Sequence, residues 1–273
     1  MKYRKYIFKG KPELLSILSV FLFEDGFEGV EDKGIEMHGF IKIGAKNDLL
    51  SPQVKEFLHL NKIDSQSEIA HDSNWNAIWE SSFEPIIVGN KCIVRANHHE
   101  KRDDLEFDIV INPKMTFGTG HHPTTYLMIK KMLPLAFENT SVFDFGTGTG
   151  VLAILAELMG AAQIFANDID ENCIDNTKEN FELNKTTKPE FRIGDIELVE
   201  NRNFDFVLAN VTRNTILERW TKLEKALKPC GTLIISGFYN TDYSYFEEAC
   251  LQSNLQIIDK EEKDNWLVIV LKK

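Results

Sequence analysis

Apolar residues fall along this chain in two rhythms. Residues 3–8 alternate polar and apolar, the period of a strand. Leu14, Leu15, Ile17, Leu18, Phe21 and Leu22 then recur at helical spacing behind Pro12, and Gly26 closes the region. Residues 27–30 and 35–43 read as strands, Pro52 opens a second helix through Leu58, and residues 67–71 give a last strand-like run. The order βαββαβ predicts a small α+β ferredoxin-like sandwich over residues 1–71. That stretch carries no chemical motif of its own, so its expected work is to recognise a substrate.

Residues 72–100 read as a connector. A short amphipathic helix capped by Asp72 or Ser73 would carry Trp75, Trp79 and Phe83 on one face, the spacing of core packing between domains. Pro85 ends it. Ile86-Ile87-Val88 and Cys92-Ile93-Val94-Arg95 then flank Gly89-Asn90, a hairpin signal. From residue 101 onward, strands and helices alternate. The strands are expected at 107–111, 142–145, 163–167, 191–195, 204–210 and 232–237, with a final hairpin of 255–258 and 266–270. The helices are expected at 123–133, 151–159, from 170 onward (with Cys173, Ile174, Thr177 and Phe181 on one face), 216–227 and 245–253. The 216–227 helix closes at the tight turn Pro229-Cys230-Gly231. This alternation predicts an α/β, doubly wound, Rossmann-like parallel sheet over residues 101–273. Its ligand belongs outside the carboxyl ends of the strands, where Gly146, Asp168, Asp195 and Asn210 all fall.

The densest signal is Val142-Phe143-Asp144-Phe145-Gly146-Thr147-Gly148-Thr149-Gly150, followed by an apolar helix that stops at Gly160. Strand, glycine turn, helix, strand, acid is the layout of a nucleotide-binding βαβ unit. The glycines let backbone approach a ligand closely. Asp168 lies 22 positions after Gly146, near the ~20 expected of an acid that accepts from ribose hydroxyls. A dinucleotide site wants G-x-G-x-x-G, with pyrophosphate on the helix N-terminus. Here the third glycine comes one position early, at Gly150. G-x-G-x-G is the pattern of S-adenosylmethionine enzymes, whose ligand has no phosphate to cradle. A second candidate loop, residues 112–125, holds two glycines, a histidine pair and several threonines before a helix. So many special residues in a long connection suggest binding, with Thr124 or Thr125 meeting the ligand.

Net charge sharpens the partner question. At −11 over 273 residues, the chain lacks the basic surface of a nucleic-acid binder, so no free nucleic acid is expected, and an acidic enzyme suits a lysine-rich protein. Cys92, Cys173, Cys230 and Cys250 are scattered without a C-x-x-C, which reads as reduced thiols in a cytoplasmic protein. No signal peptide and no membrane span are expected from the sequence. His98, His99, His121 and His122 come as adjacent pairs with no acid at a metal-binding spacing, so no metal is expected.

Phe117-Gly118-Thr119-Gly120-His121-His122-Pro123-Thr124-Thr125, then Asp144-Phe145-Gly146-x-Gly148-x-Gly150, then Asp168-Ile169-Asp170 and Ala209-Asn210 resemble the bacterial ribosomal protein L-eleven methyltransferases, the PrmA family. Asp72-x-x-Trp75-x-x-x-Trp79 and Phe83-x-Pro85 resemble the stretch joining that family's two domains. The likeness runs from about Asp72 to the C-terminus; the first ~70 residues match only in expected fold. The resemblance implies a class I S-adenosylmethionine-dependent enzyme methylating lysine ε-amines and the N-terminal α-amine of ribosomal protein L-eleven. Carried across by motif, Thr125, Gly146, Asp168 and Asn210 would contact S-adenosylmethionine. Gly148 and Gly150 pass under its amino acid part, and Asp195 is a further candidate for the adenine amine. Asn210 is the candidate catalytic residue, orienting the amine or the methionine moiety.

This chain departs from the family's pattern at the doubled His121-His122, and at Val211-Thr212-Arg213, where many members have an apolar I-L-A. Asn210-Val211-Thr212-Arg213 also lacks the N-P-P-[YF] of enzymes that methylate planar nitrogens. Two rival readings are an RNA methyltransferase on the same fold and a non-catalytic S-adenosylmethionine-binding protein.

Overall fold

The computed structural model describes residues 3–27, 29–43, 50–70, 83–112, 122–186 and 189–273. The chain divides into two compact units, Met1–Ile78 and Trp79–Lys273. All of the connector helix except Phe83, and residues 113–121 of the threonine-rich loop, His121 included, lie outside the described residues.

The first unit runs β1 (Tyr3–Lys9), α1 (Pro12–Glu24), β2 (Gly29–Asp32), β3 (Glu36–Lys42), α2 (Pro52–Leu60) and β4 (Asp64–Ala70). The sheet order is β2-β3-β1-β4 and every pairing is antiparallel. This is the ferredoxin-like sandwich that the pattern predicts. Each helix starts at a proline, whose missing N–H costs nothing in a first turn. Ser51 caps α2 by accepting from the Val54 N–H at 3.2 Å. The Asp25 carboxylate accepts from the Ser51 N–H at 3.0 Å and so ties the end of α1 to the start of α2. Phe8, Leu15, Leu18, Leu22, Met37, Ile41 and Val54 are buried between sheet and helices.

The second unit opens with β5 (Ile86–Val88) and β6 (Cys92–Ala96), an antiparallel hairpin, and β6 pairs in parallel with β7 (Phe107–Ile111). There follow α3 (Pro123–Met132), β8 (Ser141–Phe145), α4 (Val151–Leu158), β9 (Gln163–Asp168), α5 (Glu171–Leu183) and β10 (Pro189–Ile193). After them come β11 (Phe204–Asn210), α6 (Arg213–Glu218), α7 (Trp220–Lys225), β12 (Leu227–Tyr239), α8 (Tyr243–Leu251), β13 (Gln256–Lys263) and β14 (Trp266–Lys272). The seven-stranded sheet has the order β10-β9-β8-β11-β12-β14-β13.

Strands β10, β9, β8, β11 and β12 run parallel to one another. Strand β14 pairs antiparallel with both β12 and β13. The closing hairpin therefore inserts its second strand beside β12, and the sheet is mixed at that edge rather than parallel throughout. One apolar layer holds Leu127, Met128, Leu152, Ile154, Leu155 and Phe181 from α3, α4 and α5. The other holds Ile216, Trp220, Leu223 and Phe246 from α6, α7 and α8. Helices thus cover both faces, which is why the central strands are apolar on both sides.

Two local details differ from the sequence pattern. The helix expected at 216–227 is two short helices, because Arg219 leaves helical geometry at φ −105° and ψ 7°. The Pro229-Cys230-Gly231 turn lies inside β12: residues 228–231 loop out of register between the Phe204–Leu227 and Phe206–Thr232 pairs, with Cys230 at φ +60°.

Candidate functional site

The parallel strands deliver Gly146, Asp168, Asp195 and Asn210 to one edge of the sheet, at or just past the carboxyl ends of β8, β9, β10 and β11. All five residues of β8 are buried, Asp144 among them at 1% exposure. Beyond β8 the chain turns through Gly146, Gly148 and Gly150 at φ +71°, +58° and +81°, values that resist any side chain. The turn is drawn against β9, since the Asn167 carbonyl accepts from the N–H groups of both Gly146 (3.0 Å) and Thr147 (2.9 Å). Helix α4 then begins at Gly150 without a side-chain cap.

A polar stripe on α5 supports the turn from below. Thr177 Oγ1 donates to the Gly148 carbonyl at 2.7 Å, and Asn180 Nδ2 donates to the Thr149 carbonyl at 2.8 Å. Asn180 Oδ1 also accepts from the Asn112 N–H, while Asn184 both donates to and accepts from the backbone of Val110. Asn176, Thr177 and Asn180 are fully buried. A buried amide belongs there because it satisfies carbonyls that the tight turn leaves without ladder partners. Sequence reasoning gave α5 an apolar face with Thr177 on it and passed over this stripe.

Asp168 is half-buried at the tip of β9. One carboxylate oxygen accepts from the Gly148 N–H at 3.1 Å and the other from the Asp170 N–H at 3.0 Å. The Cys173 thiol, pushed up to about 12 by burial and the nearby acids, donates to the same carboxylate. With that thiol as a third donor, the carboxylate keeps one lone pair for a ligand hydroxyl. Ile169 next to it is 76% exposed, an apolar side chain beside the acid. Asp195 follows β10 beyond Gly194. Arg219 grips it through Nη2 (2.7 Å) and Nε, and it accepts from the Ile196 N–H at 2.7 Å. The Arg219 hydrogen bond holds the Asp195 carboxyl below the usual carboxylate range. The break between α6 and α7 places Arg219 at this contact.

Asp144 lies under the turn. Thr147 Oγ1 donates to its Oδ2 at 2.7 Å. Burial, opposed by that hydroxyl and reinforced by the charge of Asp168, pushes its carboxyl up to about 7. It is therefore a carboxyl poised to ionise when a cation arrives.

Asn210 ends β11, and its Nδ2 donates to Thr125 Oγ1 at 3.3 Å, joining two of the residues singled out from the sequence. Thr125 is buried in the first turn of α3, the helix that His122 caps through Thr124. After Asn210 the chain threads a narrow gap. A Cβ on Gly146 would run into the Val211 side chain, and one on Gly237, at φ +101°, into the Val211 backbone. Gly237 closes the gap from β12, a role that its position at a strand end hinted at but did not define.

An aromatic wall completes this end. Tyr239 and Trp266 are register partners on β12 and β14, with ring centroids 4.2 Å apart. The His122 ring meets Trp266 at 4.4 Å, edge to face. Desolvation keeps His122 below the ordinary histidine value, so its ring is neutral at pH 7. These three residues are far apart in sequence and only the fold unites them. His98 and His99 stand elsewhere, where His99 Nδ1 accepts from the Ala96 N–H.

The family model "Ribosomal protein L11 methyltransferase (PrmA)" matches residues 19–273. The chain belongs to the PrmA family. It is 37% identical over 281 aligned positions to the ribosomal protein L11 methyltransferase of Porphyromonas gingivalis, covering 98% of this chain and 97% of the relative. Against the Bacteroides fragilis protein of the same name it is 33% identical, covering 98% and 99%. The solved L11 methylase of Lactobacillus delbrueckii subsp. bulgaricus superposes with a TM-score of 0.65 at 24% identity, covering 69% of this chain and 98% of that one, a likeness of fold.

This PrmA-family chain is thus a methyltransferase, and S-adenosylmethionine is its methyl donor. The residues present fit that molecule. The glycine turn offers bare backbone, Asp168 offers a carboxylate lone pair for a ligand hydroxyl, and Asp144 offers a buried carboxyl for an ammonium group. Nothing in the pattern of the turn calls for a phosphate.

Proposed function

We propose that this protein methylates lysine ε-amino groups and the N-terminal α-amino group of ribosomal protein L11. The observation that carries the reading is the Asp168 carboxylate fastened to a left-handed glycine turn, in a chain whose relatives are named as L11 methyltransferases. Residues 101–273 do the transfer, residues 72–100 connect, and residues 1–71 engage the substrate protein.

When bound, S-adenosylmethionine supplies an electrophilic methyl group on a sulfonium. The rest is done by side chains of this chain. Asp168 accepts from a ribose hydroxyl, with Ile169 offering an apolar surface to the adenine. Asp195, oriented by Arg219, accepts from the adenine amine. Gly146, Gly148 and Gly150 pass under the amino acid end, and Asp144 answers its ammonium group. Thr125 fixes Asn210, whose Nδ2 is committed to the threonine hydroxyl; the carboxamide then presents Oδ1 to the acceptor amine and aims the nitrogen lone pair.

A lysine amine has a pKa of ~10.4 in water and must be neutral to react. Trp266 and Tyr239 attract the ammonium form to the mouth through their ring faces. Apolar enclosure then disfavours the charge, and neutral His122 adds none of its own. Catalysis rests on positioning and desolvation. The scattered thiols and a ribosomal substrate support a cytoplasmic place of work; among the described residues no helix is long and apolar enough to cross a membrane.

The test is Asp168→Ala, read by calorimetric titration with S-adenosylmethionine. Loss of hydrogen bonds to a charged acceptor costs about 1.5–3 kcal/mol, or about 10- to 100-fold in Kd. Binding equal to wild type would remove Asp168 from the site.

A further inference from the structure

Val211-Thr212-Arg213 follows Asn210 directly, and the structure gives Arg213 a defined set of partners. It is the first residue of α6, which Thr212 caps by accepting from the Thr215 N–H. Its Nη1 donates to Asp242 Oδ1 at 2.7 Å, and its Nε and Nη2 donate to Asn214 Oδ1 at 3.1 Å. The guanidinium carbon lies 4.9 Å from the centre of the Tyr245 ring. Asp242 is only 15% exposed at its side chain, and its second oxygen accepts from the Tyr239 N–H at 3.1 Å.

These contacts close a ring. Asn210 bonds Thr125, which sits on the helix that His122 caps. His122 meets Trp266, the Trp266 ring lies tilted against that of Tyr239, the Tyr239 backbone N–H donates to Asp242, and Asp242 pairs with Arg213. Arg213 returns to Asn210 through two residues of chain. Asn210 and the aromatic wall therefore sit on one closed circuit, and the Arg213–Asp242 pair is its only ionic link. An apolar residue in place of Arg213 cannot make that link.

We propose that Arg213 is a positioning residue for the acceptor amine: through Asp242 it fixes Tyr239, and through Tyr239 the face of Trp266, relative to Asn210. The proposal rests on the reading above that the Asn210 end of the site receives the amine. A planar, two-pronged guanidinium suits the task because it engages a carboxylate and an aromatic face together, which a lysine cannot do in the same geometry. The pair is partly open to solvent, so its worth lies in geometry more than in folding energy.

The test uses the full chain with Arg213→Met, Arg213→Lys, Asp242→Asn and the Arg213→Met/Asp242→Asn double variant. Three readouts are needed: KM and kcat for L11, Kd for S-adenosylmethionine, and the Trp266 indole N–H resonance, assigned with Trp266→Phe. Arg213→Met and Asp242→Asn should each raise KM for the protein substrate by about tenfold. The double variant should be no worse than either single one. Arg213→Lys should fall between Met and wild type, Kd for S-adenosylmethionine should stay within about twofold, and the Trp266 resonance should shift or broaden. Unchanged KM and an unchanged resonance would overturn the proposal, as would a parallel loss of S-adenosylmethionine affinity, which would make the pair a support of the cofactor site. Should the wild-type enzyme leave L11 unmodified, the substrate reading falls, and the Trp266 resonance alone then decides whether Arg213 positions the wall.

Discussion

Asp144 shows how one residue couples fold to ligand. It is buried at the sheet edge, hydrogen-bonded by the Thr147 hydroxyl and the Ala153 backbone, and burial pushes its carboxyl up to about 7 against an ordinary 3.8. A raised carboxyl contributes stability that is fully present below the unfolded-chain value and is lost as pH rises through the folded value. The window here runs from about pH 4 to about pH 7, and about three pK units correspond to roughly 4 kcal/mol. Asp144→Asn keeps the shape and can still accept from Thr147. The variant should be more stable than wild type at pH 8 and should lose much of the stability change between pH 5 and pH 8. Thermal melts across that range check both points; parallel curves for the two proteins would show that Asp144 is already ionised at low pH. The same variant should bind S-adenosylmethionine more weakly.

Elements are held in place here by glycine as much as by core packing. Gly146 and Gly237 face the same residue, Val211, by different routes: the first is blocked by its side chain and the second by its backbone. Gly146→Ala should cost about 2–4 kcal/mol, from left-handed strain plus overpacking. Adding Val211→Ala should recover the steric part. For Gly237→Ala the same second change should recover nothing, because the obstacle is the chain itself. Denaturant unfolding of the four variants measures this, and equal rescue at both positions would contradict the geometry.

At this scale the sequence was highly legible. The glycine turn, the buried β8 and the acids after β9 and β10 are local patterns, and each stands where spacing put it. What was not legible depends on partners distant in the chain. Nothing near Asp195 announces Arg219, nor does anything near Arg219 announce that its helix breaks there. The asparagines of α5 look like a solvated face until β7 and the turn are laid against them. The wall of His122, Tyr239 and Trp266 exists because β14 inserts beside β12, a pairing that periodicity does not encode.

Trp79–Lys273 holds the candidate site, and Met1–Ile78 carries no chemical motif in its sequence. Its βαββαβ order was readable because each helix begins at a proline and each strand run is bounded by polar residues. The net charge of −11 suits a basic protein as substrate. The family describes an enzyme that methylates ribosomal protein L11. Intact-mass spectrometry tests that claim most directly. Unmodified L11 is mixed with the purified enzyme and S-adenosylmethionine. The account predicts several added methyl masses on L11 and none when S-adenosylmethionine is omitted. An unchanged mass, from enzyme shown separately to bind S-adenosylmethionine, would contradict it.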